Sequence, residues 1–153
     1  MVKSYQGVRV VEDKKACNQP MCVKDYMATN LITFKPEDSI EHVLEVLTSK
    51  KISGGPVVND DGKMVGMISE GDCLKEIIKG KYSNTPSLVG TVQEHMTKDV
   101  LTMSPDLNIF DAAGQFLNLK IRRFPVMSYG NLIGQISISD IIKGVQKMKS
   151  TTW

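Results

Sequence analysis

Two short stretches of the sequence place a serine hydroxyl three residues before an aspartate carboxylate. They span residues 66–72 and 134–140, and each runs from an apolar strand pattern into an apolar helical pattern. Free backbone N–H groups and the positive dipole end at a helix start favour an anion. The hydroxyl can donate to a phosphate oxygen, and the carboxylate can accept from ribose hydroxyls. Ser-x-x-Asp is also a capping box, so the pattern by itself favours a structural role and leaves ligand binding open.

The candidate ligand contacts in these stretches are Gly66, Met67, Ser69 and Asp72 in the first, and Gly134, Gln135, Ser137 and Asp140 in the second. In each stretch the glycine permits close backbone approach.

Two adjacent arginines are the sharpest chemical difference between the halves of the chain. Arg122 and Arg123 stand where the first half has residues 53–55, Ser-Gly-Gly, with only Lys50 and Lys51 nearby. A guanidinium fork suits a phosphate group better than the point charge of a lysine. The pair therefore indicates either a phosphate contact or a solvated basic patch.

The chain is internally repeated over most of its length. Val23 corresponds to Val92, 69 residues further on, and Asp72 corresponds to Asp140, 68 residues further on after a one-residue deletion. Matches that keep their order across a whole unit indicate duplication of one supersecondary element.

Each copy predicts the element order βαββα. In the first copy, residues 31–34 form a short apolar run, and Ile40, Val43, Leu44 and Leu47 form one helical stripe. Residues 56–58 and 64–68 follow as a strand pair, and a closing helix is expected from about Asp72 to Ile78, or from Asp140 to Met148 in the second copy. The fold class is α/β (α+β). We expect the two copies to pack by their sheets into one pseudo-symmetric module.

Composition and motif content exclude several classes of function. The net charge of +2 is too small for a dedicated nucleic-acid binder, and the sequence has neither a phosphate-binding P-loop nor a dinucleotide fingerprint. Cys17, Cys22 and Cys73, an odd number, fit a reducing compartment better than a disulfide framework. With His42 and His95 apart from them, we expect no metal site. No long apolar run or signal peptide is evident, so a soluble, cytoplasmic protein is expected.

Each copy resembles a cystathionine β-synthase (CBS) motif. The resemblance rests on Val-x-x-x-Met before the first strand, x-x-x-Pro-Val after the helix, and Gly-h-h-Ser-x-x-Asp (h, apolar) opening the closing helix, in the same order twice. A tandem pair of such motifs, a Bateman module, is implied, often pairing as a homodimer. The resemblance also implies a ligand between the motifs: usually AMP, ADP or ATP, less often S-adenosylmethionine, NAD or a cyclic dinucleotide.

The resemblance further implies which residues surround each ligand. Arg123, with Arg122 beside it, would reach the phosphates of a nucleotide held by the Ser137–Asp140 turn. The copies would contribute crosswise, so that Lys24 and Thr29 serve the Asp140 site, whereas Gln93 and Lys98 serve the Asp72 site.

The resulting prediction is a stand-alone regulatory module without enzymatic activity or cofactor, which binds an adenine nucleotide and signals in trans to another protein. Residues 1–22 are assigned as an extension, 23–79 and 92–149 as the two motifs, and 80–91 as a linker. A homodimer is expected through apolar residues of the closing helices: Ile77, Ile78, Ile141, Ile142 and Val145. The alternatives are a ligand-free assembly module, or binding of S-adenosylmethionine, NAD or nucleic acid.

Overall fold

The computed structural model describes residues 2–3, 9–11 and 21–152 of the chain. They form two compact units that do not coincide with the two sequence copies. Residues 32–100 form one unit, called here the Asp72 unit. Residues 2–3, 9–11, 21–31 and 101–152 form the other, the Asp140 unit. Each unit therefore takes the body of one copy and the segment that leads into the other copy, called here the lead segment (residues 21–31 for the first copy and 92–100 for the second).

The Asp72 unit is built on a helix and a strand pair. Helix α2 (Ile40–Lys50) begins at Ser39, whose Oγ accepts from the His42 N–H at 3.0 Å, and it ends at Lys51 in the left-handed conformation. Strands β3 (Gly54–Val58) and β4 (Met64–Ser69) pair antiparallel. The apolar stripe of α2 is buried as its spacing predicts. The core residues of this unit are Phe34, Ile40, Val43, Leu47, Val57, Ile68, Cys73 and Val92.

Three further elements complete this unit. Helix α3 (Glu70–Ile77) follows β4 directly and continues into a single 3₁₀ turn, Ile78–Gly80. A one-turn helix, α4 (Val92–His95), lies in the segment that leads into the second copy. That segment is held by backbone hydrogen bonds from Val92 N–H to Asp38 O and from Gln93 N–H to Pro36 O, both at 2.9 Å.

The described residues of the Asp140 unit contain a five-stranded sheet. Its strands, in spatial order, are β1 (Val2–Lys3), β2 (Arg9–Val11), β5 (Leu101–Met103), β6 (Arg123–Ser128) and β7 (Asn131–Ser137). Strand β2 runs parallel to β5, and β5 parallel to β6, whereas the outer pairs are antiparallel. The part of the chain expected to be an extension thus supplies two strands to this sheet.

Three helices pack with that sheet: α1 (Val23–Tyr26), α5 (Ile109–Leu119) and α6 (Ile138–Thr152). Helix α5 begins at Asn108, whose Oδ1 accepts from the Phe110 N–H at 2.8 Å, and it ends at Lys120 in the left-handed conformation, like Lys51. The core includes an edge-to-face ring pair of Phe116 and Phe124, whose centroids are 5.0 Å apart. The fold is mixed α+β, as predicted.

Several local predictions need correction. Residues 31–34 do not form a strand, because only Phe34 makes a bridge, parallel to Val57. The closing helices begin two residues earlier than expected, at Glu70 and Ile138, since the serine before each of them ends the strand. Ile141 is buried in the core of its unit and is not available to a partner.

The cysteines do not all follow the expectation of reduced thiols. Cys22 is disulfide-bonded, which makes that expectation wrong for this residue, whereas Cys73 is a free, buried thiol. Cys17 lies outside the described residues.

Among the helices of the described residues, none is both long and apolar enough to cross a lipid bilayer.

Candidate functional site

Both Ser-x-x-Asp turns form a capping box. In the Asp72 unit, the N–H and Oγ of Ser69 each donate to Asp72 Oδ2 at 3.0 Å, and the Asp72 N–H donates to Ser69 Oγ at 3.4 Å. In the Asp140 unit, the N–H and Oγ of Ser137 each donate to Asp140 Oδ2 at 2.9 Å, and the Asp140 N–H donates to Ser137 Oγ at 3.3 Å. The structural role of the motif is therefore confirmed in both units.

The second carboxylate oxygen distinguishes the two turns. Asp72 is buried, and its Oδ1 lies 3.5 Å from Lys75 Nζ. Asp140 is half-buried, and its Oδ1 has no hydrogen-bond partner among the side chains and backbone of residues 21–148. An oxygen that accepts nothing from the protein can accept from a ligand hydroxyl. The Asp140 turn is the one that combines a formed cap with a spare acceptor.

The strand before each turn places different side chains beside the serine. In the antiparallel pairing of β6 with β7, Arg123 lies directly opposite Ser137, whereas in β3 and β4 Gly54 lies opposite Ser69. The carbonyl before each of these positions accepts from the first helical residue: Arg122 O from Ile138 N–H at 3.2 Å, and Ser53 O from Glu70 N–H at 2.9 Å. The structure thus brings Arg122 and Arg123 to the start of α6.

The first copy has no room for a matching arginine. A Cβ at Gly54 would lie 2.6 Å from the Ile68 carbonyl oxygen, a backbone atom that cannot move aside cheaply. At the same turn, Glu70 adds a second carboxylate to Asp72. Burial, with the charges of Asp72 and Glu70, raises the pKa of the Cys73 thiol above its ordinary value. The surroundings of this helix start are therefore acidic where those of α6 are basic.

The two predicted glycines make room for protein backbone. A Cβ at Gly66 would lie 2.7 Å from the Thr97 carbonyl oxygen, and one at Gly134 would lie 2.9 Å from that of Ala28. Each contact accompanies a pair of backbone hydrogen bonds, between Met67 and Thr97 at 2.9 and 2.8 Å and between Gln135 and Ala28 at 2.9 and 2.8 Å. The close approach predicted from the glycines is therefore made to the lead segment of the other copy.

These bonds place the remaining predicted residues. Lys24 and Thr29 lie in the same unit as Asp140, and Gln93 and Lys98 lie in the same unit as Asp72, which is the crosswise arrangement expected. All four side chains are exposed. Lys24 forms an ion pair with Asp106, Nζ to Oδ1 3.1 Å. Whether these residues bind a ligand stays a prediction.

Sequence reasoning missed the residues that contact the strands directly. Ala28 and Thr97, rather than Thr29 and Lys98, form the bridges to β7 and β4. They occupy equivalent positions in the two copies, and that equivalence was the available signal. Ser139 was also missed, although its Oγ lies 3.2 Å from Ser137 Oγ.

A second polar cluster lies one helical turn beyond Asp72 and was not expected. The carboxylate of Glu76, 3% exposed, accepts from Ser87 Oγ through Oε1 at 2.7 Å. Its Oε2 lies 2.7 Å from His95 Nε2 and 2.8 Å from Lys79 Nζ. These hydrogen bonds, with that of Lys79 the strongest, lower the pKa of Glu76 to about 2.

The chain is similar to known proteins over most of its length. The CBS domain family matches residues 23–79 and 89–147. The chain is 30% identical to the uncharacterized protein MJ1225 of Methanocaldococcus jannaschii over 128 residues, which cover 84% of this chain and 43% of that relative. It therefore spans less than half of that relative's length.

Two solved structures are similar to this chain in fold. Arabidopsis thaliana CBSX2 in complex with AMP superposes with a TM-score of 0.71, at 32% identity, over 84% of this chain and 98% of that one. The CBS domain pair of MJ0100, in complex with 5′-methylthioadenosine and S-adenosyl-L-methionine, gives a TM-score of 0.67 at 26% identity, over 83% and 97% of the two chains. With two tandem matches that cover more than half of its residues, the chain belongs to the CBS domain family, as a CBS pair.

Proposed function

We propose that this CBS pair is a regulatory, non-enzymatic module that binds an adenine nucleotide, AMP, ADP or ATP, mainly at the Asp140 turn, and passes the change to another protein in trans. The observation that carries the proposal is the register that sets Arg123 opposite Ser137 at the start of α6. A guanidinium, the positive dipole end of α6 and an unused carboxylate oxygen are together suited to a phosphate and a ribose. CBSX2 with AMP and MJ0100 with adenosyl ligands support an adenosine-containing ligand.

The same comparison of turns supports unequal use of the two. On the Asp72 side, Gly54 excludes a basic side chain and Glu70 brings an extra negative charge close to where a phosphate would lie. Like charges at a short distance repel, so a nucleotide should prefer the Asp140 side. Lys24 and Thr29 are proposed to line the adenine on that side, and Gln93 and Lys98 on the Asp72 side.

Calorimetric titration with AMP, ADP and ATP tests the proposal, with Asp72→Ala as the matched control for Asp140→Ala. We expect one dominant site per chain, Asp140→Ala to abolish its binding of both nucleoside and nucleotide, and Asp72→Ala to change little. The reverse pattern would assign the principal site to the Asp72 turn.

A thermal-shift panel separates this proposal from its alternatives. A ligand at a hundred times its Kd stabilises the native state by about 2.7 kcal/mol. The panel contains the three nucleotides, S-adenosylmethionine, NAD and a short oligonucleotide. A shift with the oligonucleotide alone would indicate a nucleic-acid binder, and no shift with any compound would favour a ligand-free assembly module.

We also propose a homodimer, because apolar side chains of the closing helices remain exposed. Leu74 on α3 and Ile142 on α6 are 61% and 55% exposed, and Ile78, Ile138 and Val145 are exposed with them. Such apolar surface is typical of an interface. Light scattering at micromolar concentration should give a dimer, and Ile142→Glu should give a monomer. A wild-type monomer at that concentration would contradict the proposal.

A further inference from the structure

The Glu76 cluster joins three separate parts of the Asp72 unit. Glu76 belongs to the closing helix α3, Ser87 to the linker that follows it, and His95 to α4 in the lead segment of the second copy. Lys79 also contacts the carboxylate, but it comes from the same stretch of chain as Glu76, three residues further on. Two of the three contacts therefore tie other segments to α3, and one does not.

Burial makes the contact between Glu76 and His95 costly to lose. The side chain of Glu76 is 4% exposed and that of His95 is 9% exposed. A buried carboxylate that loses a donor keeps the cost of its lost hydration, so the bond to His95 favours one position of α4. The position of α4 on α3 is therefore fixed to within the tolerance of a hydrogen bond.

Each of the two joined elements carries a candidate ligand residue of this unit. Asp72 lies four residues before Glu76 on α3, on the same face of the helix. Gln93 lies in α4 beside His95, and Lys98 follows it after the backbone bridge from Thr97 to Met67. A shift of α4 along α3 would move Gln93 and Lys98 relative to Asp72.

We propose that Glu76 and His95 are positioning residues that set the ligand affinity of the Asp72 turn by holding α4 and the linker against α3. The inference rests on the proposed function, since it concerns adenosine binding at that turn. The Asp140 unit has no such pair, because Gly144 and Tyr26 stand at the equivalent positions.

The cluster also contains a set of possible metal ligands. One ligand atom each of Glu76, Glu94 and His95 lies within 4.8 Å of the others. Lys79 Nζ, however, already contacts the Glu76 oxygen that a cation would need, and Ser87 occupies the other oxygen. Both Glu76 oxygens are therefore engaged by protein donors, which favours a positioning role over a metal site.

The test is an adenosine titration, followed by protein NMR, of chains that carry Asp140→Ala and retain the Asp72 turn alone. His95→Ala should weaken adenosine binding roughly tenfold, the equivalent of one hydrogen bond. His95→Gln places an amide N–H where Nε2 lies and should restore the affinity. Lys79→Gln is the matched control: it removes a contact to the same oxygen without releasing α4, and should leave the Kd unchanged. All variants are compared at a temperature where circular dichroism shows them folded.

Three results would overturn the inference. One is an equal Kd for His95→Ala and Lys79→Gln, with only the melting temperature lowered. Another is no adenosine binding by the Asp140→Ala chain, which leaves the proposed function to be judged separately on the Asp72→Ala chain. The third is tight Zn²⁺ binding that disappears in His95→Ala and strengthens in Lys79→Gln, which would make the cluster a metal site.

Discussion

The two units hold their lead segments by the same backbone bonds and by opposite side-chain chemistry. In the Asp72 unit, Val92 N–H donates to Asp38 O at 2.9 Å; in the Asp140 unit, Val23 N–H donates to Leu107 O at 2.8 Å. Beyond these shared backbone bonds, the first unit uses the hydrogen-bonded pair Glu76 and His95. The second instead sets a ring against a glycine, since a Cβ at Gly144 would lie 2.5 Å from Tyr26 Cδ1.

The backbone hydrogen bonds are therefore common to both copies, whereas the side chains at equivalent positions differ. Buried backbone N–H and C=O groups need hydrogen-bond partners whatever the side chain is, so the main-chain hydrogen bonds are the same in both units. Side chains at the same positions were free to become polar in one unit and apolar in the other. The same division separates Arg123 from Gly54 at the helix starts.

The largest loss of affinity is expected when the guanidinium that distinguishes the Asp140 turn from the Asp72 turn is removed. Arg123→Ala should weaken AMP, ADP or ATP binding roughly ten- to a hundredfold, because one charge-assisted bond is worth about 1.5–3 kcal/mol. Adenosine, which has no phosphate, should bind as before. Calorimetry with both ligands measures the difference, and Lys50→Ala in the first copy serves as the control. An equal loss for adenosine would show that Arg123 does not contact phosphate.

Next come the glycines that admit the lead segments. Gly66→Ala and Gly134→Ala should each destabilise the fold by about 1–3 kcal/mol through overpacking. Gly66 should be the costlier, since its nearest obstacle is the Thr97 carbonyl at 2.7 Å, whereas that of Gly134 is the flexible Met27 sulfur at 2.6 Å.

Chemical denaturation measures both values, and Gly114 in α5 provides the control. A Cβ at Gly114 meets nothing within 4 Å, so Gly114→Ala should stabilise by up to about 1 kcal/mol through helix propensity. A neutral Gly66→Ala would mean that the lead segment does not approach this closely in solution.

A pH effect should distinguish the Glu76 carboxylate from Gly144, which stands at the equivalent position of the second copy. The pKa of Glu76 is lowered from 4.5 to about 2 in the folded state. Its contribution to stability is therefore complete above pH 4.5 and is lost as the pH falls through about 2. Denaturation curves of Glu76→Gln should differ most from the wild type above pH 4.5 and converge with it as the pH falls. A difference that stays constant with pH would contradict this assignment.

The smallest predicted effect is a loss of stability that should be equal for the two capping serines. Ser69→Ala and Ser137→Ala should each cost about 1 kcal/mol, the value of a serine cap, because the capping bonds are nearly equal at 3.4 and 3.3 Å. Paired thermal melts in the absence of ligand test this. Unequal losses would show that one of the two serines is stabilised by something other than its helix.

Sequence patterns predicted the elements that depend on local periodicity. The stripes of α2 and α5 and the hairpins appear where they were expected. Ser39 caps α2, although Asp38 one residue earlier is an equally good cap former, and propensity does not choose between them. The strand predicted at residues 31–34 is only a single bridge in the structure, because its pairing depends on tertiary contacts that no local pattern contains.

Within the candidate site, the sequence predicted the features that can be found by comparing the two copies. The Ser-x-x-Asp turns and the arginine difference were visible by aligning the copies. The crosswise pairing came from the family resemblance, because no local pattern contains it. Glu76 and His95 were missed because their contact spans 19 residues and has no counterpart in the second copy. A charged residue aligned with a glycine, Glu76 with Gly144, was the signal that could have found them.

The exchange of lead segments also orders the events of synthesis. The Asp72 unit is continuous, residues 32–100, and has all of its described parts once that stretch has left the ribosome. The Asp140 unit needs residues 21–31 and 101–152 together, so its first segment has to wait until helix α6 is made. Domains fold in the order in which they are completed. A nascent chain would thus acquire the unit with the acidic turn first, and the proposed nucleotide-binding unit only after residue 152 has been made.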